Sequence, residues 1–293
     1  MPAAPSLEQL ILDSINTLTP AETRVARAIL GSYPASATRS ASAIAEVAES
    51  SPASVIRFVT KLGFASLREF HEAVRAELEG RSRSPYDTLA PASSEHDLIE
   101  AVIQAEATNV AATLHRLTPE SIRALRTLLN DASSVSVLGG RFSQALAVYL
   151  HAHLRLIRPG ALLLSTADVP DEIAHLGRGS LIVIFDFRRY HPEAEFAARY
   201  TKARRGKVIV VTDPYISPAA HHADHTLVAE VEGPHLVDSY ASVVALLDTI
   251  IGDLVATNSA AMRQRIDRVE TAREQLDGLV FRNAGFLDGD RGE

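Results

Sequence analysis

Apolar residues in the first third of the chain recur at helical spacing between explicit capping signals, with little β-branched alternation. Thr19-Pro20-Ala21-Glu22 sets a hydroxyl at an N-cap, proline at the first helical position and glutamate three residues after the cap, which satisfies otherwise unpaired amides. Ser66-Leu67-Arg68-Glu69 repeats this chemistry, and Phe70, Val74 and Leu78 continue as an apolar stripe, so a helix begins at Leu67. Between these, Ser42 to Glu49 reads as a short helix, and after a tight turn Ser51-Pro52 caps a second one running to Leu62. In that second helix Val55, Val59 and Leu62 share one face while Ser54, Arg57 and Lys61 lie on another. The segment is all-α.

The pattern changes downstream. Arg81-Ser82-Arg83-Ser84-Pro85, continuing to Pro91-Ala92-Ser93-Ser94, mixes Ser, Pro and charge without an apolar period and reads as a linker. Two helices follow from Asp97, the second opened by Thr118-Pro119. Short apolar runs then alternate with helical stretches: 135–138, 161–164, 181–185, 208–211 and 226–228, with amphipathic segments near 143–157 and 192–204. Such a chain builds an α/β domain, a five-stranded parallel sheet flanked by helices on both faces. Asp238 to Ala256 is long and apolar over much of its surface, and Met262 to Val269 is a charged helix with an apolar stripe. Both suit subunit contacts or simple packing. The expected organisation is a helical domain over 1–80, a linker over 81–96 and an α/β domain over 97–280.

Length and composition agree with two domains. A chain of 293 residues can bury two cores, and no stretch approaches the roughly 18 uninterrupted apolar residues of a membrane-spanning helix. The N-terminus lacks a basic start followed by an apolar core, so a cytoplasmic protein with no membrane partner is expected. Without cysteine there are no disulfides, thiolate metal sites or cysteine nucleophiles. The net charge of −7 opposes nucleic-acid binding through bulk charge. In the first eighty residues Arg24, Arg27, Arg39, Arg57, Lys61, Arg68 and Arg75 face a slightly larger set of acids, so DNA contact must come from one face.

The division of the helix from Pro52 to Leu62 suits a recognition helix, whose N-terminal half enters the major groove, where arginine pairs with guanine and small hydroxyls reach bases or phosphates. Arg57 is the expected base reader and Lys61, nearer the helix end, a phosphate contact; Ser51, Ala53 and Ser54 complete the DNA face. Spacing alone equally admits a helical bundle with solvated cations. Leu18-Thr19-Pro20-Ala21-Glu22 … Val25-Ala26, then Ala43 to Ala48, then Ser54-Val55-Ile56-Arg57-Phe58-Val59-Thr60-Lys61-Leu62-Gly63-Phe64 resembles the N-terminal domain of the RpiR family of bacterial regulators. Order and spacing of the closing Val-x-Arg-Phe-x-x-x-Leu-Gly-Phe pattern are intact. In the turn, Glu49 and Ser50 stand where the family usually has glycine and an aliphatic residue. The resemblance implies a DNA-binding transcriptional regulator on a roughly palindromic double-stranded operator.

From about Asp97 to Leu276 the chain is similar to the sugar-isomerase (SIS) domain that follows this helix-turn-helix in the family. That implies a homodimer or homotetramer and a small anionic metabolite, a phosphosugar, bound at the carboxyl ends of the strands near a topological switch point. Gly139, Gly140, Arg141 and Ser143 form the first such loop, where glycines admit an anion to backbone amides and a helix N-terminus adds favourable charge. In the second, Asp186-Phe187-Arg188-Arg189-Tyr190-His191 replaces the family's Ser-x-Ser-Gly-x-Thr. Arg188 and Arg189 offer charge-assisted contacts and Tyr190 an aromatic, whereas Asp186 repels an anion unless paired. The alternative is a structural ion pair of Asp186 with Arg188 or Arg189 around an empty or remodelled pocket, the domain then serving mainly for oligomerisation. Thr212-Asp213-Pro214 and Ser217-Pro218 suit turn capping. Ser239 is a further contact by resemblance, though helix capping explains it equally.

Other constellations lead elsewhere. His221-His222-Ala223-Asp224-His225 tempts a metal reading, but adjacent histidines project differently and a solvated loop is expected. His151 and His153 do not share a helix face. Glu172, His175 and His235 are candidates, by position only, for the acid and base of an aldose-ketose isomerase, the enzymatic alternative. No cofactor, metal or catalytic activity is expected.

Overall fold

The computed structural model describes residues 7–31, 33–82, 95–233, 238–257 and 260–283. The first part is a bundle of α1 (Leu7–Ser14), α2 (Pro20–Leu30), α3 (Ala41–Val47), α4 (Pro52–Lys61) and α5 (Leu67–Ser82). Hydroxyls start three of them. Thr19 and Glu22 close the capping box at α2, while the Ser40 and Ser51 side chains accept amides at α3 and α4. These caps matter because α3 is under two turns long and cannot hold its own shape without fixed ends. The helices bury one core, with Ile11, Val25, Ile29, Val55, Phe58, Val59, Phe70 and Val74 removed from solvent and Phe64 meeting Phe70 edge-on at 5.4 Å. The outward reading of Ser54 does not hold. It is 3% exposed, because on this ten-residue helix it stands one turn before the buried Phe58 as well as one turn before Arg57.

The second part opens with α6 (Glu95–His115) and α7 (Pro119–Asp131), then β1 (Ser134–Gly139), α8 (Gln144–Ile157), β2 (Ala161–Leu163), α9 (Val169–Ile173), β3 (Ser180–Phe185), α10 (Pro192–Ala203), β4 (Lys207–Thr212), β5 (His225–Val228), α11 (Ala241–Ala256) and α12 (Ala260–Asn283). Five parallel strands run in the order β2-β1-β3-β4-β5. Alternate residues serve opposite faces. Val135, Val137, Leu181, Val183 and Phe185 join α7, α8 and α11 in one core, while Leu138, Ile182, Ile184, Val208 and Val210 join α9 and α10 in another. All five strands expected from the apolar runs are present. The short α9, the 3-10 turn at Arg141–Ser143 and that at Pro218–His222 were not anticipated, each being too short to show a period. Helix α5 continues two residues past Gly80 and α6 starts at Glu95, so helix enters both ends of the segment read as linker.

Chain direction reverses between β1, which leads outward to β2, and β3, which starts the march to β5. The crevice where ligands bind in such sheets therefore lies between the carboxyl ends of β1 and β3.

The turn between α3 and α4 carries one strained residue. Glu49 is exposed and adopts φ +46°, a left-handed conformation that costs a side-chain-bearing residue about 1–2 kcal/mol. Glycine relieves this but loses about 0.5–1 kcal/mol of chain entropy on folding. Glu49→Gly is therefore expected to stabilise the bundle by about 0.5–1 kcal/mol, read as a raised urea midpoint with an unchanged slope. A destabilised variant would show that the glutamate side chain is itself holding the turn.

Candidate functional site

Two surfaces carry the chemistry expected from the sequence. On α4 the positions Ala53, Ile56, Arg57 and Thr60 are exposed, whereas Val55, Phe58 and Val59 are fully buried. Arg57 donates to the Ser54 hydroxyl at 2.9 Å, which leaves the other guanidinium donors directed to solvent. Ser51 and Ser54 hydroxyls lie 3.0 Å apart, and Ser51 also takes the Ser54 amide at 3.2 Å. Those serines organise the helix start. Lys61 is exposed but not idle. Its ammonium donates to the Thr17 carbonyl and to Glu22 Oε2 at 3.3 Å, tying the end of α4 to the start of α2. The Glu22 carboxyl is held below its ordinary range, first by the Thr19 amide and further by Lys61. Arg24, which sequence reasoning had counted only as surface charge, reaches the Ala48 carbonyl at the end of α3 at 3.3 Å.

The second surface lies at the carboxyl ends of β1, β3 and β4. Ser143 is buried, and its hydroxyl is within hydrogen-bonding distance of the Gly140 carbonyl at 2.8 Å and the Phe185 carbonyl at 3.0 Å, so it links the two loops. A side chain on Gly139 would put its Cβ 2.5 Å from the Ser143 carbonyl oxygen, and one on Gly140 would meet the His191 ring at 3.0 Å. The backbone of its own loop, not room for a ligand, already requires glycine at 139, while at 140 a side chain would have to displace the His191 ring. Arg141 and Arg189 are exposed and left-handed, at φ +46° and +64°. Beside Arg141, Phe142 projects into solvent, 71% exposed.

Asp186 and Asp213 are buried at the ends of β3 and β4 and collect the polar groups between the loops. Asp186 accepts from the Ser217 hydroxyl at 2.5 Å and from the His191 amide at 3.1 Å. Asp213 accepts from the Arg188 amide at 2.5 Å, the Tyr190 hydroxyl at 2.7 Å and the Tyr215 amide at 2.9 Å. The ion pair of Asp186 with Arg188 or Arg189, on which the alternative reading of this loop rested, is not formed. The Arg188 guanidinium instead bonds Asp238, while its backbone amide donates to Asp213. Ser239 accepts the Ala241 amide at 3.3 Å from one position before Tyr240, the residue at the N-cap of α11, so it is a local turn contact and not the helix cap. Of the residues sequence reasoning proposed, the structure brings together Gly139, Gly140, Ser143, Asp186, Arg188 and Tyr190. Asp213, Ser217, His191 and Asp238 complete the set; the signal for Asp213 and Ser217 was the Thr-Asp…Ser-Pro loop, read as capping, while His191 closes the second loop and Asp238 opens the segment before α11.

Burial dominates the electrostatics. It pushes the Asp186 carboxyl up to about 7, against the lowering effect of Ser217 and the His191 amide and with the help of Asp213. Asp213 is raised for the same reason, less its bonds to Tyr190, Tyr215 and Arg188. The Tyr240 hydroxyl is pushed up to about 12, chiefly by burial and then by Asp213. Arg188, Asp213 and Tyr215 also line a cavity of about 580 Å³ whose other wall is Leu7, Leu10, Phe64 and Ala73 of the bundle.

Glu172 and His175 line a separate depression with Asp168 and Asp171 beside β2, and the His175 Nε2 lies 3.1 Å from the Ser136 hydroxyl. His235 lies outside the described residues. The His221 Nδ1 faces the Pro218 carbonyl and the His225 Nε2 the Ser121 hydroxyl. Among the described residues no group of three or more His, Asp or Glu is arranged to hold a metal, and no helix is long and apolar enough to cross a membrane.

Residues 6–81 match the family model described as helix-turn-helix domain, rpiR family, and residues 128–253 match the SIS domain. No curated protein matches the chain significantly. Among solved structures the chain is similar to the sugar isomerase domain of an RpiR transcription factor from Sphaerobacter thermophilus, at 24% identity and a TM-score of 0.56 over 61% of this chain and 98% of that one. It is also similar to the Vibrio vulnificus NanR protein complexed with ManNAc-6P, at 18% identity and a TM-score of 0.54 over 92% of this chain and 99% of that one. At these identities the likeness is one of fold.

The raised carboxyl at Asp186 has a definite pH signature. The folded state keeps this proton up to about pH 7 while the unfolded chain releases it near 3.8, so the folded state binds more protons in between and stability falls as pH rises through that window. Asparagine does not titrate there. The stability of Asp186→Asn relative to the unsubstituted protein should therefore increase steadily from about pH 4 to about pH 7, measured by urea unfolding. A pH-independent difference would mean that Asp186 stays ionised.

Proposed function

We propose that this chain, a member of the RpiR family by its helix-turn-helix and SIS domains, is a cytoplasmic DNA-binding transcriptional regulator whose α/β domain senses a small carbohydrate derivative. The observation that carries the reading is the α4 surface: a capped, well-anchored helix that buries Val55, Phe58 and Val59 and leaves Arg57 turned outward. A basic residue so placed suits the major groove, where a guanidinium pairs with the two acceptors of guanine. Lys61, at the end of the same helix, keeps one ammonium donor beyond those given to Thr17 and Glu22 and contacts phosphate with it.

Two copies present two such helices to half-sites about 34 Å apart on a roughly palindromic operator. Leu98, Ile99 and Ile103 support self-association, since all three are exposed apolar side chains on α6. Ligand binding at the strand ends alters the spacing of the helices by favouring one arrangement of the two domains. The cavity shared by Arg188, Asp213 and the bundle supports that coupling, because whatever fills it touches both parts.

A phosphosugar is the ligand class favoured by the likeness to NanR, whose complex holds ManNAc-6P. Arg141 and Arg189, both exposed, are the cations open to an anion at these two loops. One observation favours a second reading. The amides of Arg188 and His191 are already taken by Asp213 and Asp186, and the Arg188 charge is met by Asp238. On that reading the domain serves mainly for assembly. Catalysis is not part of the proposal: Glu172 and His175 line a depression apart from these loops.

Genome-wide DNA capture with the full chain should yield an enriched palindromic motif. On that operator Arg57→Ala is expected to weaken binding by about 1–3 kcal/mol and relax one base position, while Lys61→Ala weakens binding to all sequences alike and flattens the salt dependence. Equal binding by both variants would overturn these roles. A phosphosugar at about 100 times its Kd should stabilise the protein by about 2.7 kcal/mol in thermal unfolding. No shift across a panel that includes aminosugar phosphates would favour the assembly reading.

A further inference from the structure

The outward face of α4 is short of hydrogen-bonding groups. Ala53, Ile56, Arg57 and Thr60 fall at spacings of three and four and so form a single stripe. The Thr60 hydroxyl donates to the Ile56 carbonyl at 3.0 Å, which satisfies it within the helix. The two serine hydroxyls at the helix start bond each other and the Ser54 amide, with Ser54 itself buried. Lys61 is held by Glu22 and the Thr17 carbonyl. Arg57 is thus the stripe's one polar side chain with donors to spare. Next to it stands Ile56, 42% exposed at mid-helix where no neighbouring element covers it.

An isolated exposed isoleucine is ordinary on a protein surface. Its position is what gives it meaning. A helix laid in the major groove meets the acceptors of guanine, the amino groups of adenine and cytosine, and one apolar feature, the thymine C5 methyl. We propose that Ile56 reads a thymine methyl in the base pairs adjoining the guanine read by Arg57, so that each half-site is specified by one guanidinium contact and one apolar contact. Ala53 lets the helix approach closely enough for both. The inference rests on the regulator reading above, and goes beyond it by naming the second specificity residue and the chemical group it recognises.

Deoxyuridine tests this directly, since it pairs as thymine does but lacks the methyl group. The operator is selected from random duplexes with the full-length protein, and each thymine of a half-site is then replaced singly by deoxyuridine. One replacement, close to the position relaxed by Arg57→Ala, should weaken binding about fourfold, the effect of withdrawing one buried methyl group. Ile56→Ala should bind the thymine and uracil operators equally while keeping its preference at the guanine position. Ile56→Val, which retains a branched apolar side chain, should keep part of the discrimination. Helical content by circular dichroism confirms that each variant is folded.

Undiminished discrimination in Ile56→Ala would overturn the proposal, as would an operator bound normally with every thymine replaced. Selection of no operator at all would overturn the regulator reading with it, and that outcome is distinct from the other two.

Discussion

Where several parallel strands end side by side, the loops that leave them carry amides and carbonyls into a space that water does not reach, and each must find a partner there. In this sheet the partners are mostly carboxylates. Asp213 gathers two amides and a phenol, and Asp186 gathers an amide and a hydroxyl. Burial explains the elevated proton affinity of Asp186; around the pair, Arg188 turns its side chain to Asp238, and the left-handed Arg141 and Arg189 remain exposed. An α/β fold of this type supplies the crevice, and the side chains set at the strand ends decide what the crevice is for.

The helical bundle meets the same demand with different means. Its helices are short, their ends are numerous, and small hydroxyls at Thr19, Ser40 and Ser51 satisfy the first amides of three of them. Only after those ends are fixed can a ten-residue helix keep a constant orientation on a core of Val55, Phe58 and Val59. Glu49, the left-handed side-chain-bearing residue among the described residues of the bundle, falls in the turn that aims α4.

Much of this was legible in the residues. The capping boxes located α2 and α5, the apolar runs located all five strands, and the division of α4 into two faces put Arg57 outside. What escaped was of two kinds. Elements of three to five residues, such as α9 and the turn at Arg141–Ser143, are too brief to show periodicity. Partner choice among polar groups was the other: nothing in Asp186-Phe187-Arg188-Arg189 states that Arg188 turns to a residue fifty positions away, or that Lys61 is held by Glu22. Ser54 was misplaced because a helical wheel divides faces more sharply than a crowded interface does.

Glu22 shows how economically orientation is encoded. Its Oε2 atom takes the Thr19 amide at 2.8 Å and lies 3.3 Å from the Lys61 ammonium. A single oxygen therefore acts as the pivot on which one helix starts and another is braced. Loss of that carboxylate would release the start of α2 and the end of α4 together, so the setting of the exposed stripe depends on a side chain that is itself buried.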